Sequence, residues 1–346
     1  MRVARFHAPG DIRIEDAPEP SPGAGDVKIR VRACSACGTD VKISKFGHQN
    51  ITPPRVMGHE IAGEVVEVGS DVTGWAPGDR VQVIAAIPCG KCPDCLAGHM
   101  TICPNQTSMG YQFDGGFAEF MIVPQVVLDD DGLNRIPEGV SYAEASVAEP
   151  LACALNAQEL VRTEPGNDVV VIGSGPIGCL HVPVARSRGA ARVFLVELSR
   201  ERLDMAAAIV KPDAAICASE EDPIAAVLKL TGGRGADVII TAAASGKAQE
   251  QALQMVAREG RISFFGGLPK DNSVIALDSN LVHYRELMII GANGSSPAHN
   301  KRALALIADG SVPVKDLITH RLPLEQVLEG IGIVSRGEAI KVTIEP

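Results

Sequence analysis

The sequence offers little to a membrane, a polyanion or a secretion route. Every long apolar run is broken by Gly, Pro or a charged residue, so no stretch reaches the roughly 18 uninterrupted apolar residues of a membrane-spanning helix. The opening MRVARFHAPGD lacks the apolar core of a secretory signal, and the expectation is a cytoplasmic protein with no membrane partner. Basic residues are in deficit, 32 Lys and Arg against 42 Asp and Glu, for a net charge of −10. An acidic surface repels phosphate backbones at long range, which argues against a nucleic-acid partner. Linkers and low-complexity tracts are absent too. With 46% hydrophobic and 21% charged residues, the 346-residue chain reads as about two globular domains.

Cysteine, in contrast, is concentrated. Four of the nine fall within fifteen residues, as Cys89, Cys92, Cys95 and Cys103, in a C-x2-C-x2-C-x7-C loop that also holds Gly90, Pro93 and Gly98. In a reducing compartment that spacing suggests metal ligands over disulfides. Four thiolates can close a tetrahedron round one zinc ion, and such a site is structural because no position remains for substrate. The loop carries no basic cluster, which disfavours a zinc-finger-like nucleic-acid binder. Cys37 in ACGTD, with His59 and Glu60 in MGHEIAG, supplies the S, N and O donors of an open catalytic zinc site, although each alone is as easily a core residue. Glu149 stands directly before Pro150 in the apolar segment SVAEPLACAL, where a carboxylate has little reason to be buried unless it faces a cation. Cys34, Cys153, Cys179 and Cys217 lie in apolar runs and read as core. The other histidines show no paired spacing and read as loop or core, with His48 and Lys45 as candidates to line a substrate pocket.

To about residue 130 the chain alternates short β-rich runs, at 27–33, 60–69, 79–87 and 117–123, with turns dense in Pro and Gly, the pattern of an all-β or barrel-like unit. A helical pattern follows over 141–149, and Pro150 either kinks it or starts a second helix. From Asp168 the apolar runs DVVVI, RVFLVE, AAICA, DVIIT, RISFFG and LMIIG mostly alternate with helical stretches such as SRERLDMAAAIV and GKAQEQALQMVARE. That alternation predicts a doubly wound parallel α/β sheet of six strands, a complete dinucleotide fold. The tail has a helix near 301–308 and a period-2 strand in EAIKVTIEP, expected to return to the N-terminal unit for partners.

Within DVVVIGSGPIG the strand breaks at Gly173, Gly175 and Gly178, with Pro176 and Ile177 opening a helix. These glycines permit a tight bend and close backbone approach to a pyrophosphate held at the helix N-terminus. Glu197 ends the second strand 19 residues after Gly178, placed to accept hydrogen bonds from ribose hydroxyls and to repel a 2′-phosphate, which favours NAD over NADP. Arg200 and Arg202 are the counterweight, since an arginine could pair with that phosphate, and Arg202 joins the candidate cofactor contacts.

Taken together, ACGTD, GHE, WAPGDRV, the four-cysteine loop, GGFAEF, AEPLAC and VIGSGPIG resemble the zinc-containing medium-chain dehydrogenases, and within them the sorbitol or polyol dehydrogenase group. The resemblance runs from end to end of the chain. It implies a GroES-like catalytic domain of residues 1–155 and 293–346 with two zinc sites, and a Rossmann domain of residues 156–292. Cys37 and His59 match the family's zinc ligands, Glu60 the carboxylate after the histidine, and Glu149 the polyol group's fourth ligand or water-mediated partner. Thr39 matches the hydroxyl that passes on the substrate proton. Three residues beyond it, where many members carry a histidine, this chain has Lys42. The implied activity is oxidation of a secondary hydroxyl of a polyol, sugar alcohol or cyclitol, with NAD and two zinc ions per chain, one catalytic and one structural, in a homotetramer or homodimer. Zinc would act as a Lewis acid, Thr39 as the proton acceptor and the dinucleotide as hydride acceptor. L-threonine, a simple diol and a phosphorylated polyol are alternative substrates. From another class, the rival is a non-catalytic zinc- and dinucleotide-binding scaffold or sensor.

Overall fold

Ten residues, Val27–Ala36, form the strand on which the N-terminal part is assembled; its first half alternates buried Val and Ile with exposed Arg30 and Arg32, and its second half is buried throughout. Antiparallel to it run Glu60–Val68, Phe120–Val123 and Lys341–Glu345. The wider sheet follows the order Leu133–Arg135, Arg80–Val83, Glu60–Val68, Val27–Ala36, Lys341–Glu345, Ile318–Pro323. Register shifts between Lys28 and Ile29 and between Val31 and Ala33 bend the central strand, as bulges do. A second sheet joins Asp11–Asp16, Arg2–Ala8 and Arg55–Val56, and Phe6, Ile29, Met57, Ile61 and Phe117 fill the core. The computed structural model describes residues 1–346. It divides them into one unit of Met1–Ala152, Gly294–Gly310 and Val314–Pro346, and another of Cys153–Asn293 with Ser311–Pro313.

The tail strand therefore does pair with the N-terminal unit, but its alternation misleads about exposure. Lys341 and Thr343, which read as the solvent face, are buried: Lys341 is ion-paired with Glu60, and the Thr343 hydroxyl lies 3.0 Å from Ser35 Oγ, itself 2.7 Å from Ser146 Oγ. Pro150 starts a new helix rather than kinking an old one. Tyr142–Ser146, capped by Ser141, ends before Ala148–Leu160 begins, and Pro150 sits in the first turn of the latter, where a missing N–H costs nothing.

In the second unit six parallel strands lie in the order Ala214–Cys217, Arg192–Glu197, Asp168–Ile172, Ala236–Thr241, Val256–Phe264 and Met288–Gly291. In chain order this is third, second, first, fourth, fifth, sixth, the arrangement of a complete dinucleotide-binding sheet. One boundary differs from the sequence reading. The stretch 246–259 was expected to be helical, yet the helix ends at Met255 and Val256 already pairs with Ala236. Glu259 adopts φ 56°, and the register slips before Arg261 pairs with Val238, so the early strand is bulged and its short apolar run is hidden behind charged residues. No helix is long and apolar enough to cross a membrane.

Candidate active site

Three strand ends meet at the C-terminal end of Val27–Ala36. Glu60 pairs across from Ser35, Val342 from Ala36, and Cys37 follows directly. Cys37 is the N-cap of the helix Gly38–Phe46: its sulfur accepts the Thr39 N–H at 3.4 Å, while Asp40 Oδ2 accepts the Cys37 N–H at 2.9 Å. Asp40 is buried and its other oxygen, Oδ1, lies 3.7 Å from His59 Nδ1, close enough for an ion pair but beyond hydrogen-bond reach. Burial works against a proton on His59, but Asp40 and Cys37 outweigh it and raise the imidazole well above its ordinary range. His59 is set in place by Gly58, whose φ is +89° and where a Cβ would come within 2.7 Å of Cys34 Sγ and 2.9 Å of the Phe117 ring.

Cys37, His59 and Glu60 present ligand atoms within 4.8 Å of one another. Glu60 is 0% exposed and Lys341 2%, and the two form a buried ion pair. Burial raises the Glu60 carboxyl, Lys341 opposes that rise and Glu149 adds to it; the same pairing raises the Lys341 ammonium against its own burial. The Glu60 Oε1 atom has no hydrogen-bond partner. Half-buried S with buried N and O donors and an orphaned carboxylate oxygen fit a zinc ion that keeps a position open. Glu149, second residue of Ala148–Leu160, is buried and its charge reaches Glu60, Lys341 and Tyr111, but it lies outside the close three-residue group. Thr39 is in the first turn of the Cys37-capped helix, and Lys42 on the same helix is exposed. Of the two candidate pocket residues, exposed His48 packs edge-on against Tyr111 at 4.9 Å, whereas Lys45 turns away to Ser335 Oγ at 2.8 Å.

The other cluster is a closed one. Cys89, Cys92, Cys95 and Cys103 also converge within 4.8 Å, and none is in a disulfide. Strands Ala86–Ile87 and Thr107–Ser108 pin the base of this loop. Backbone N–H groups of Cys89 and Cys95 point at Cys103 Sγ and Cys92 Sγ, at 3.3 and 3.4 Å, as suits thiolates holding a cation.

In the second unit, Asp168–Ile172 runs into Gly173 and the helix Pro176–Ser187, with Gly175 as N-cap and Pro176 at N1 beside Ile177. At Gly178 a Cβ would lie 1.8 Å from the Gly173 carbonyl oxygen, so the helix can approach the turn this closely only with glycine there. Glu197 holds the turn from the next strand: Oε2 accepts from Ser174 N at 2.8 Å and Ser174 Oγ at 2.9 Å, and Oε1 from Leu198 N at 2.8 Å and Ser199 N at 3.2 Å. Burial would raise the Glu197 carboxyl, yet these bonds and Arg202 bring it below the usual range, so it is an anion at neutral pH. Arg202 reaches over Gly175, with Nη2 3.4 Å from where a Cβ would stand. Beside them is a cavity of about 260 Å³ walled by Ile172, Val196, Ala218, Pro223 and Met255, with Glu197 and Lys247 at polar positions. An apolar slot next to a ribose-height carboxylate suits the adenosine end of a dinucleotide.

Comparison with known proteins decides the family. Residues 23–129 match the model of the alcohol dehydrogenase GroES-like domain, and residues 176–309 that of the zinc-binding dehydrogenases. The chain belongs to the zinc-containing medium-chain alcohol dehydrogenase family. A sorbitol dehydrogenase of Halalkalibacterium halodurans is 33% identical over 346 residues, covering 99% of this chain and 98% of the relative. An L-threonine 3-dehydrogenase of Bacillus licheniformis is 34% identical over 349 residues, with the same coverage of 99% and 98%. A solved structure described as a zinc-binding dehydrogenase of Sinorhizobium meliloti 1021, bound to NADP, matches with a TM-score of 0.91 at 30% identity, over 100% of this chain and 99% of that one. The dehydrogenase is thus an oxidoreductase of the alcohol dehydrogenase type, with zinc and NAD(P) as its cofactors.

Sequence reasoning passed over three residues of the site. Asp40 lies inside the quoted ACGTD motif, and its signal is an acid three residues after a capping Cys, a capping box. Lys341 is a charge at the start of a strand expected to enter a sheet. Tyr111 has no local signal and is known only from the fold.

Proposed function

We propose that this dehydrogenase oxidises a secondary hydroxyl of a polyol, sugar alcohol or cyclitol to the ketone, reversibly, with NAD. The observation that carries the reading is the convergence of half-buried Cys37 with buried His59 and Glu60, backed by Asp40 beside the histidine and Lys341 on the glutamate. These residues would hold a catalytic zinc with Glu149 alongside, and Cys89, Cys92, Cys95 and Cys103 a structural one. When bound, the zinc would act as a Lewis acid that makes a substrate hydroxyl more acidic, and the nicotinamide would accept the hydride.

The chain's own residues supply the rest. Cys37 offers its sulfur from the N-cap of the helix Gly38–Phe46, and the buried Asp40 carboxylate stands 3.7 Å from the Nδ1 side of His59. The Thr39 hydroxyl, two residues after Cys37 in the first turn of its helix, would take the substrate proton and pass it outward, where exposed Lys42 replaces the usual histidine. Lys341 balances the charge of Glu60, so that a second carboxylate, Glu149, can stand nearby. Glu197, an anion fixed by four hydrogen bonds, would accept from ribose hydroxyls and repel a 2′-phosphate, while Arg202 and the Gly173–Gly178 turn would receive the pyrophosphate. For the assembly we favour a homotetramer or homodimer in the cytoplasm, supported by the open edge strand Met288–Gly291 with Met288 47% exposed.

A panel of polyols, cyclitols, phosphorylated polyols, L-threonine and 2,3-butanediol, read by NADH absorbance, tests the substrate. Activity spread over polyols or cyclitols supports the reading, and activity confined to L-threonine or 2,3-butanediol contradicts it. Glu197→Ala should weaken NAD use and raise the NADP:NAD ratio of kcat/KM; equal use of both cofactors by the unmutated enzyme would count against NAD.

A further inference from the structure

Two strands of the second unit end side by side and turn in step. Glu197 closes Arg192–Glu197 and pairs in register with Cys217, which closes Ala214–Cys217. The Glu197 carbonyl accepts the Ala218 N–H at 2.8 Å, and the Cys217 carbonyl accepts the Glu220 N–H at 3.0 Å. Three residues beyond each strand end, Arg200 and Glu220 meet. Arg200 donates from Nε to Glu220 Oε1 at 3.0 Å and from Nη2 to Glu220 Oε2, a two-point fork, while Asp204 Oδ1 adds one contact to Nη1 at 3.4 Å. The fork bridges the two turns whose Leu198 and Ala218 wall the cavity beside Glu197.

A dinucleotide whose adenosine end fills this cavity would set a 2′-phosphate against the Glu197 anion, where the phosphate needs a cation to bind. Three side chains could supply one. Arg202 already reaches over the glycine turn, with Nη2 3.4 Å from where a Gly175 Cβ would stand, and Lys247 lines the cavity from the first turn of Gly246–Met255. Arg200 follows Leu198 and Ser199, whose N–H groups Glu197 Oε1 holds, so it is rooted next to the carboxylate, yet its guanidinium is committed to Glu220. We propose that Glu220 is a positioning residue for cofactor choice: it holds Arg200 in the fork and so denies a 2′-phosphate its cation, which keeps the enzyme on NAD. Glu197 excludes the phosphate by repulsion, and Glu220 by engaging its partner. The inference rests on the reading of Glu197 as the ribose-binding carboxylate of an NAD enzyme.

The test measures kcat and KM for NAD and NADP in the wild-type, Glu220→Gln and Glu220→Gln, Arg200→Ala enzymes, with an alcohol that the substrate panel shows to be oxidised. The side chains of the pair are 46% and 52% exposed, so the variants should fold normally. Glu220→Gln is expected to lower the NADP KM about fivefold, the upper worth of an exposed ion pair, with kcat and the NAD KM within about twofold. The double variant should return the NADP KM to the wild-type value; a gain that persists without Arg200 belongs to Lys247 or to net charge and overturns the proposal. Calorimetric titration of each dinucleotide into the enzyme without alcohol should show the same selective gain independently of turnover. Unchanged NADP affinity in Glu220→Gln, or equal gains for NAD and NADP, overturns the role of Glu220 and leaves the NAD reading standing. A wild-type enzyme that binds and uses NADP as well as NAD overturns the reading of Glu197, and this inference with it.

Discussion

Replacing His181 by Leu should remove part of the protein's sensitivity to acid. The imidazole is 0% exposed in the helix Pro176–Ser187. Gln158 Nε2 donates to its carbonyl at 2.8 Å and lies 3.2 Å from its Nδ1, while Phe265 packs edge-on at 5.1 Å. Its Nε2 has no partner, and burial alone depresses the imidazole to about 3. An unfolded histidine takes up its proton near 6.5, so between the two values the unfolded chain holds more protons and stability rises with pH. The contribution is intact above pH 6.5 and is lost as pH falls toward 3. By this linkage His181 costs the native state about 2 kcal/mol between pH 7.5 and pH 5. Leucine cannot titrate, and Gln158 keeps its bond to the backbone carbonyl. The assay is urea unfolding of both proteins at pH 7.5 and pH 5: the variant should gain about 2 kcal/mol on wild type at the lower pH relative to the higher one. Equal pH dependence in the two proteins would refute the argument, because every other titrating group is common to both.

Two further substitutions probe the site. Gly178→Ala would force a methyl into the Gly173 carbonyl oxygen, 1.8 Å away, and push the helix off the turn. Overpacking costs about 1–3 kcal/mol, so dinucleotide binding followed by fluorescence should weaken by about tenfold or more, and wild-type affinity would contradict the close approach. Lys341→Met strands Glu60 as a buried unpaired charge and should destabilise the first unit by about 3–5 kcal/mol, with part of the loss recovered in a Glu60→Gln, Lys341→Met double variant. Strictly additive losses in chemical unfolding would show that the pair is not coupled.

The fold was legible wherever burial imposed a single pattern. Strands such as Asp168–Ile172 and Arg192–Glu197 are covered on both faces, so their apolar runs and the helices between them led directly to a parallel sheet. It was illegible where polar groups are buried in pairs. Lys341 and Thr343 looked like a wet face because the partners that make their burial tolerable, Glu60 and Ser35, lie far away in sequence. The same applies to Val256–Phe264, where a left-handed Glu259 breaks the register and conceals the strand inside what reads as a helix. In the site, donor types were readable because Cys, His and Glu carry their chemistry with them. Tyr111 and Asp40 matter through position, which only the meeting of three strand ends and one capped helix reveals.

Counting metal tests the central claim most directly. Zinc per chain, measured by atomic emission alongside NADH formation from an active polyol, should be two for the wild-type enzyme. Cys37→Ser should lower it to one and abolish turnover, while Cys95→Ser removes the other ion and lowers the thermal midpoint. One zinc per wild-type chain with no turnover would mean a zinc- and dinucleotide-binding scaffold and would contradict the catalytic site built on Cys37, His59 and Glu60.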